Sequence, residues 1–533
     1  MNSMLFFDYE TTGLVPARER PTQFACVRTD MNLDIVGRST TLYCKPVPDH
    51  LFDPGASLAT GITPQTCAEA GLPELQFVRD VYRELGTPGT IGAGYNSVAF
   101  DDEVTRFMLW RNLMDPYERE WKNDCSRWDV MMVVRATYAL RPDTMEWPRE
   151  DDGRVSFALD RLSSANQLLH ESAHDALSDV YATIALARLV MERQPRLYAH
   201  CLAMRNKNLA MQEMDLERRQ PFIHVGYGAA ATAGVRIMLP LAAHPTNRNE
   251  VIAWDLAHDP RELLDMDAET ARKRLFTRVK DRPEGFRRLP LDSIAANQSP
   301  AVFANLDVVS GQRAADLGLD VDAAMENAAT MARVLQAVSV DRLLQVVFAR
   351  DSLDGEADAE VALYAGLLGG TDRRTLDQLR TLDPRELRAA RPEFDDSRLT
   401  TLWLRYKARH FPDALSPRER DKWEEHRFDK LVRGTDGSRT VAMVREDVVR
   451  YRRALMASSD LTDPGDLQLL DDVLAHANGI AAEIDPYETV AQPQPDPAPA
   501  LATVSPLPVQ PDMFGGAGDA AMSPRRRAIA RRA

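Results

Sequence analysis

Near the start of the chain, Met4-Leu5-Phe6-Phe7-Asp8-Tyr9-Glu10 sets two carboxylates two positions apart at the end of an apolar run. Residues i and i+2 of a strand share a face, so Asp8 and Glu10 stand side by side. Like charges that close repel, and half-buried carboxylates are costly unless something pairs with them. Either the strand ends in two solvated acids, or a cation lies between them. Two further clusters bear on the choice. Asp101 and Asp102 follow the stretch GYNSVAF at an expected helix start, and HDALSD places His174, Asp175 and Asp179 on one helix. Asp175 and Asp179 lie one turn apart, while His174 and Asp179 are about 140° apart around the axis. Four carboxylates (Asp8, Glu10, Asp101 and Asp179) suffice for two hard divalent cations ~3.5–4 Å apart. That pair is what phosphodiester hydrolysis uses to neutralise charge on the attacking and leaving oxygens. A histidine with its ordinary pKa of ~6.5 can take a proton from the attacking water. Asp102 and Asp175 read as solvated neighbours of the better-placed Asp101 and His174.

The elements that must position these residues are legible in outline. MLFFDY, QFACVRTD and STTLYCKP read as strands, and Glu74–Leu85 as a helix, with apolar residues at three- and four-residue spacing. The strand-like TIGAGYNS leads into a helix from Asp101, and a helix over Ala173–Glu192 closes an α/β unit. Pro195 in RQPRLYAH marks its end. FIHVGY, GVRIMLPLA and EVIAWDLA read as strands of a second, mixed unit, with helical patches in ETARKRLFTRV and DAAMENAATMARVL. A third unit is almost wholly helical, and Ser416-Pro417-Arg418-Glu419 has the form of a capping box. Residues 1–192, 196–345 and 350–485 are the expected domains, and 489–533 a disordered tail. That tail has seven prolines between 491 and 511, a Gly-rich step and an Arg-rich end; three aspartates and five arginines give it a charge of +2.

The 533 residues suit about three domains, and 44% hydrophobic content is enough for packed cores. A net charge of −15 excludes a uniformly basic nucleic-acid coat but not a local basic channel. Five scattered cysteines without a CxxC pair argue against a disulfide scaffold or a thiolate zinc site and suit a reducing cytosol. Neither a signal peptide nor a membrane span is expected.

The three acidic motifs, in this order within one α/β unit, resemble the DEDD exonucleases of the His-containing subclass. The likeness extends through RPTQFACVRTD, GYNSVAFDDEVTRFML, YALRPDTMEWP, HDALSDVYATIALARLV, RQPRLY, HPTNRN and LRYKARHFP, over roughly residues 4–480. Those stretches are similar to bacterial exonuclease I, which removes nucleotides from the 3′ end of single-stranded DNA. The resemblance implies an α/β ribonuclease-H-like exonuclease domain, then an α+β domain with an SH3-like barrel, then an all-α domain, in a cytoplasmic monomer. It implies two Mg²⁺ ions, with Mn²⁺ as a substitute, held by Asp8, Glu10, Asp101 and Asp179, and His174 as general base. Two alternatives stay open: a related 3′ exonuclease acting on RNA or in proofreading, and an inactive DNA-binding scaffold.

By the same resemblance Glu10, Thr11 and Thr12 line the 3′-terminal nucleotide. Arg106, Tyr117, Trp121, Arg135, Lys207 and Asn249 match positions that contact the strand. Ala158 stands where relatives often carry an arginine that reaches the substrate. Arg141 matches one member of a pocket for the acidic C-terminal tail of single-strand DNA-binding protein. In the tail, Gln510, Met513 and Phe514 of QPDMF resemble a short motif that docks into the bacterial sliding clamp, with one aliphatic and one aromatic side chain to fill a pocket.

Overall fold

The computed structural model describes residues 2–168, 176–227, 232–349, 357–457 and 463–484. His174, Asp175, Gln510, Met513, Phe514 and the whole segment 489–533 lie outside them.

The first sheet is built from β1 (Ser3–Thr11), β2 (Pro21–Thr29), β3 (Thr40–Tyr43), β4 (Thr90–Gly94) and β5 (Ser126–Asp129), in the order β3-β2-β1-β4-β5. β1 pairs antiparallel with β2 and parallel with β4, which pairs parallel with β5. β1 is apolar on both faces because both faces are covered. Met4 and Phe6 enter a core with the helices Val130–Leu140 and Ala176–Arg193. Leu5, Phe7 and Tyr9 enter another with Glu74–Leu85 and Asp101–Arg111. The first of these two spans the expected residues, and the second starts at the expected Asp101. The closing helix ends at Arg193, ahead of Pro195 as expected, and Pro195 opens a further helix, Pro195–Ala203. Its Tyr198 ring meets Trp128 edge-on at 5.3 Å, so the segment is held by the first domain's core.

The second sheet contains β6 (Phe222–Val225), β7 (Val235–Ala243), β8 (Glu250–Asp255), β9 (Leu291–Ala295) and β10 (Ala301–Phe303), in the order β10-β6-β7-β8-β9 and antiparallel throughout. Pro240 is tolerated in β7 because the register shifts between Pro240 and Ala242, at a bulge. The expected strands are β6, β7 and β8; β9 and β10 are short and carry little alternation.

The third unit is helical, with Ser397–His410, Pro417–Phe428, Val441–Met456 and Pro464–Ile484 as its longer helices. The capping box at Ser416 forms: the Glu419 carboxylate accepts the Ser416 N–H at 2.9 Å, and the Ser416 hydroxyl accepts the Glu419 N–H. This unit shares two cores with the first domain. Phe107 and Trp110 pack among Leu399, Leu402 and Tyr406, and Leu51, Phe52 and Leu58 pack among Val444, Val448 and Val473. Among the described residues, no helix is long and apolar enough to cross a membrane.

Candidate active site

The pairing of β1 with β4 ends at Phe6–Ala93, so β1 runs on past its parallel neighbour. Asp8 and Glu10 occupy that overhang, opposite Ala25 and Gln23 of β2. Tyr9, between them, points the other way, and its hydroxyl accepts a hydrogen bond from the Thr105 hydroxyl at 3.1 Å. Alternation thus anchors the intervening ring in the core and leaves both carboxylates on one half-buried face. The helix Ala176–Arg193 brings Asp179 to that face. One oxygen each from Asp8, Glu10 and Asp179 lies within 4.8 Å of the others, close enough for one cation to touch all three. Carboxylate oxygens at this spacing fit a hard divalent ion, so the donor set suits the metal that the sequence pattern implies.

Asp101 is placed differently. It is the first residue of its helix, is 3% exposed, and accepts the backbone N–H of Tyr9 at 3.1 Å. It therefore abuts the Asp8–Glu10 segment through the backbone and stands outside the group of three. Burial pushes its carboxyl well above the usual carboxylate range; the Tyr9 N–H opposes this, and nearby Asp102 and Asp129 add to it. A cation beside it would reverse that preference.

Asp102 is no solvated neighbour. It is buried and paired with the Arg119 and Arg127 guanidinium groups. A helix-start acid whose two partners come from a later loop and from β5 cannot be told from a surface acid by local sequence.

The expected substrate contacts divide. Lys207 and Asn249, 42 residues apart, come together in the middle domain, with Lys207 Nζ 3.5 Å from Asn249 Oδ1. Trp121 is 62% exposed, as a stacking platform must be. Arg135 lies between the rings of Phe157 and Tyr227, 4.4 Å from each centroid, and its buried Nε has no hydrogen-bond partner among the described residues. Ala158 is buried at the head of the helix Leu159–Ala165.

Other expected contacts face the protein. The Thr12 hydroxyl donates to Glu19 at 2.7 Å, lies 2.7 Å from His50 Nε2 and accepts the Arg20 N–H, which uses its full capacity inside. Its N–H donates to Arg20 and its carbonyl accepts from Asp53. The Thr11 hydroxyl donates to the Gly13 carbonyl at 2.6 Å. Arg106 is 7% exposed and binds Glu120 through two nitrogens, together with Glu103 and the Tyr364 hydroxyl. Its guanidinium covers the Tyr117 ring at 5.3 Å. The expected substrate arginine is thus a buried bridge to the helical domain. Arg141 donates through Nη1 to the carbonyls of Leu140 and Val308.

Comparison with known proteins matches this geometry to a family. Residues 5–187 match an exonuclease family, 205–350 the exonuclease I SH3-like domain, and 357–480 the exonuclease I C-terminal domain. Exodeoxyribonuclease I of Escherichia coli K12 is 40% identical over 428 residues, covering 80% of this chain and 89% of that protein. The Haemophilus influenzae enzyme of the same name is 37% identical over 432 residues, 80% of this chain and 90% of its own. Exonuclease I from Methylocaldum szegediense superposes with a TM-score of 0.83 at 40% identity, over 90% of this chain and 100% of that one. E. coli exonuclease I in complex with a dA16 oligonucleotide gives 0.82 at 36% identity, over the same shares. The zinc-bound E. coli exonuclease I–single-stranded DNA complex gives 0.81 at 36% identity, again over 90% of this chain and 100% of that one. The three domains, their order and these relatives agree: this chain belongs to the exonuclease I family.

Proposed function

We propose that this protein degrades single-stranded DNA from the 3′ end to nucleoside 5′-monophosphates, with Mg²⁺ in its active site. The observation that carries the reading is the convergence of Asp8, Glu10 and Asp179 within 4.8 Å, in a family whose E. coli member is known bound to single-stranded DNA and to zinc. Asp8, Glu10 and Asp179 would hold the metal, and Asp101 would serve a second ion. When bound, the ions stabilise negative charge on the attacking and leaving oxygens. His174, beyond the described residues, takes the proton of the attacking water. Trp121 offers a stacking surface, Arg135 and Lys207 charge to phosphates, and Asn249 a polar contact.

The test uses 5′-labelled single-stranded DNA, blunt duplex DNA and single-stranded RNA, with Mg²⁺ or EDTA. The expected result is a ladder shortening from the 3′ end on single-stranded DNA alone, and only with metal. Equal consumption of RNA moves the substrate to the RNA alternative, and no cleavage supports the scaffold.

Holding the strand through phosphates has a salt signature. Each lost phosphate contact on a single strand reduces the slope of log affinity against log salt by about 0.7. Lys207→Ala is therefore expected to flatten that slope by about this amount, measured by fluorescence anisotropy in EDTA. An unchanged slope removes Lys207 from the strand's path.

We further propose that the enzyme works in the cytoplasm as a monomer, in keeping with five buried, unbridged cysteines. The Arg141 guanidinium receives the acidic tail of single-strand DNA-binding protein. Gln510, Met513 and Phe514 dock into the sliding clamp. Pull-down on immobilised clamp is expected to retain the full chain and to lose Met513→Ala/Phe514→Ala; equal retention removes the motif.

A further inference from the structure

We propose that Asp129 is a positioning residue that sets Asp101 against β1 through the turn joining them. This rests on the catalytic reading above. Asp129 ends β5, faces Gly94 across the sheet and is 1% exposed. Its Oδ1 accepts the N–H groups of Asn96 and Met131, each at 2.9 Å, and its Oδ2 accepts that of Val98 at 3.3 Å. One carboxylate therefore caps the helix Val130–Leu140 and pins the turn after β4. That turn needs pinning: Asn96 is held at φ 59°, in the left-handed region, which costs free energy. Gly94 lets the turn fold back this closely, since a Cβ there would lie 2.6 Å from Ser97 Cβ and 3.1 Å from the Phe7 carbonyl. From Asn96 the backbone bonds run straight to the helix start: Ala99 N–H to the Asn96 carbonyl, and Phe100 and Asp102 N–H to the Ser97 carbonyl. On the far side Arg119 and Arg127 hold Asp102. Asp101 is thus fixed from both flanks before it receives the Tyr9 N–H.

Asp129→Asn keeps the cap and breaks one of the two bonds to the turn, the one from Val98. The amide keeps Oδ1 for Asn96 and Met131, so the helix cap survives, and it sets an NH₂ group against the Val98 N–H. The full chain would be compared with wild type by peptide-resolved amide hydrogen exchange, by Mn²⁺ calorimetry without DNA, and by steady-state kinetics. Residues that orient a metal ligand typically change affinity or activity by 10–100-fold when replaced. The expected result is exchange about tenfold faster over residues 95–102 with 130–140 unchanged, Mn²⁺ binding weakened about tenfold, and kcat lowered about 30-fold with KM for single-stranded DNA within about twofold. Asp129→Ala, which also removes the cap, is expected to give the same losses plus faster exchange in 130–140. Wild-type exchange over 95–102 and wild-type Mn²⁺ affinity in Asp129→Asn would overturn the proposal. So would a loss of activity carried by KM with exchange raised across the whole sheet, because that is a purely structural role. If wild type cleaves no single-stranded DNA, the catalytic reading falls, while the exchange and Mn²⁺ measurements still decide Asp129.

Discussion

Asp179→Ala is expected to lower Mg²⁺-dependent hydrolysis of single-stranded DNA by about a thousandfold. Asp8 and Glu10 come from one strand, and Asp179 is the ligand that the closing helix adds to them. Removing it leaves two like charges on β1 without the third oxygen that encloses an ion. Transition-state stabilisation by a bound metal is worth several kcal/mol, and about 4 kcal/mol corresponds to about three decades in rate. Strand affinity measured in EDTA should stay within about threefold of wild type, because the contacts proposed for the strand come from other elements. A second readout is thermodynamic. An ion that binds only the folded state stabilises it by about 2.7 kcal/mol at a hundredfold excess over its Kd. Mn²⁺ should therefore raise the melting temperature of wild type and leave that of Asp179→Ala nearly unmoved. Retained activity within about tenfold, or an undiminished metal-induced shift, would remove Asp179 from the ligand set.

The sequence exposed the site wherever chemistry and periodicity coincide. Asp8 and Glu10 could be paired because strand alternation is a local rule. The helix Glu74–Leu85 followed from its apolar spacing, and the helix start at Asp101 from the strand and polar turn before it. What escaped was long-range. That Asp102 is buried depends on Arg119 and Arg127, which approach from elsewhere in the fold. The resemblance places Thr12 at the 3′-terminal nucleotide, and nothing local shows that Glu19 and His50 also hold its hydroxyl. Arg106 matches a strand-contacting position by the same resemblance, and nothing local shows its bonds to Glu120 and Tyr364. A partial signal did exist for Asp129: an Asp immediately before the apolar run VMMVVRATYAL has the form of a helix N-cap. Nothing local indicated that the same carboxylate also reaches Asn96 and Val98.

Glu360→Ala is expected to cost about 3–5 kcal/mol, the usual effect of removing one partner from a buried ion pair. Glu360 is 4% exposed and lies at the seam between the helical and exonuclease domains. Its carboxylate meets Arg20 Nη2 at 3.2 Å, Lys430 Nζ at 3.5 Å, and the Arg409 guanidinium. Asp49, fully buried, shares Arg409 and Lys430 with it. Burial opposes ionisation of both acids, but Arg409 and Lys430 outweigh it and hold both well below the usual carboxylate range. Their contribution is therefore complete above pH ~4 and is lost as pH falls below that. Histidine sets the limb above it. Burial pushes His410, which bonds Asn112 Oδ1 at 2.8 Å, down to about 4. Unfolded histidine titrates near ~6.5, so between those values only the unfolded chain takes the proton, and stability falls as pH drops from about 6.5 to 4. His410→Gln should flatten that limb by about one proton and leave the limb below pH 4 intact. The Glu360 effect is read from the denaturant midpoint of tryptophan fluorescence, to which Trp403 and Trp423 in the helical domain contribute. Because Arg20 and Glu360 touch, Arg20→Ala/Glu360→Ala should cost less than the two single changes together, by at least about 1 kcal/mol. Strict additivity would mean that Arg20 adds nothing to the hold on Glu360, leaving Arg409 and Lys430 as its partners at the seam, beside the apolar contacts of Phe107 and Trp110 with Leu399 and Leu402.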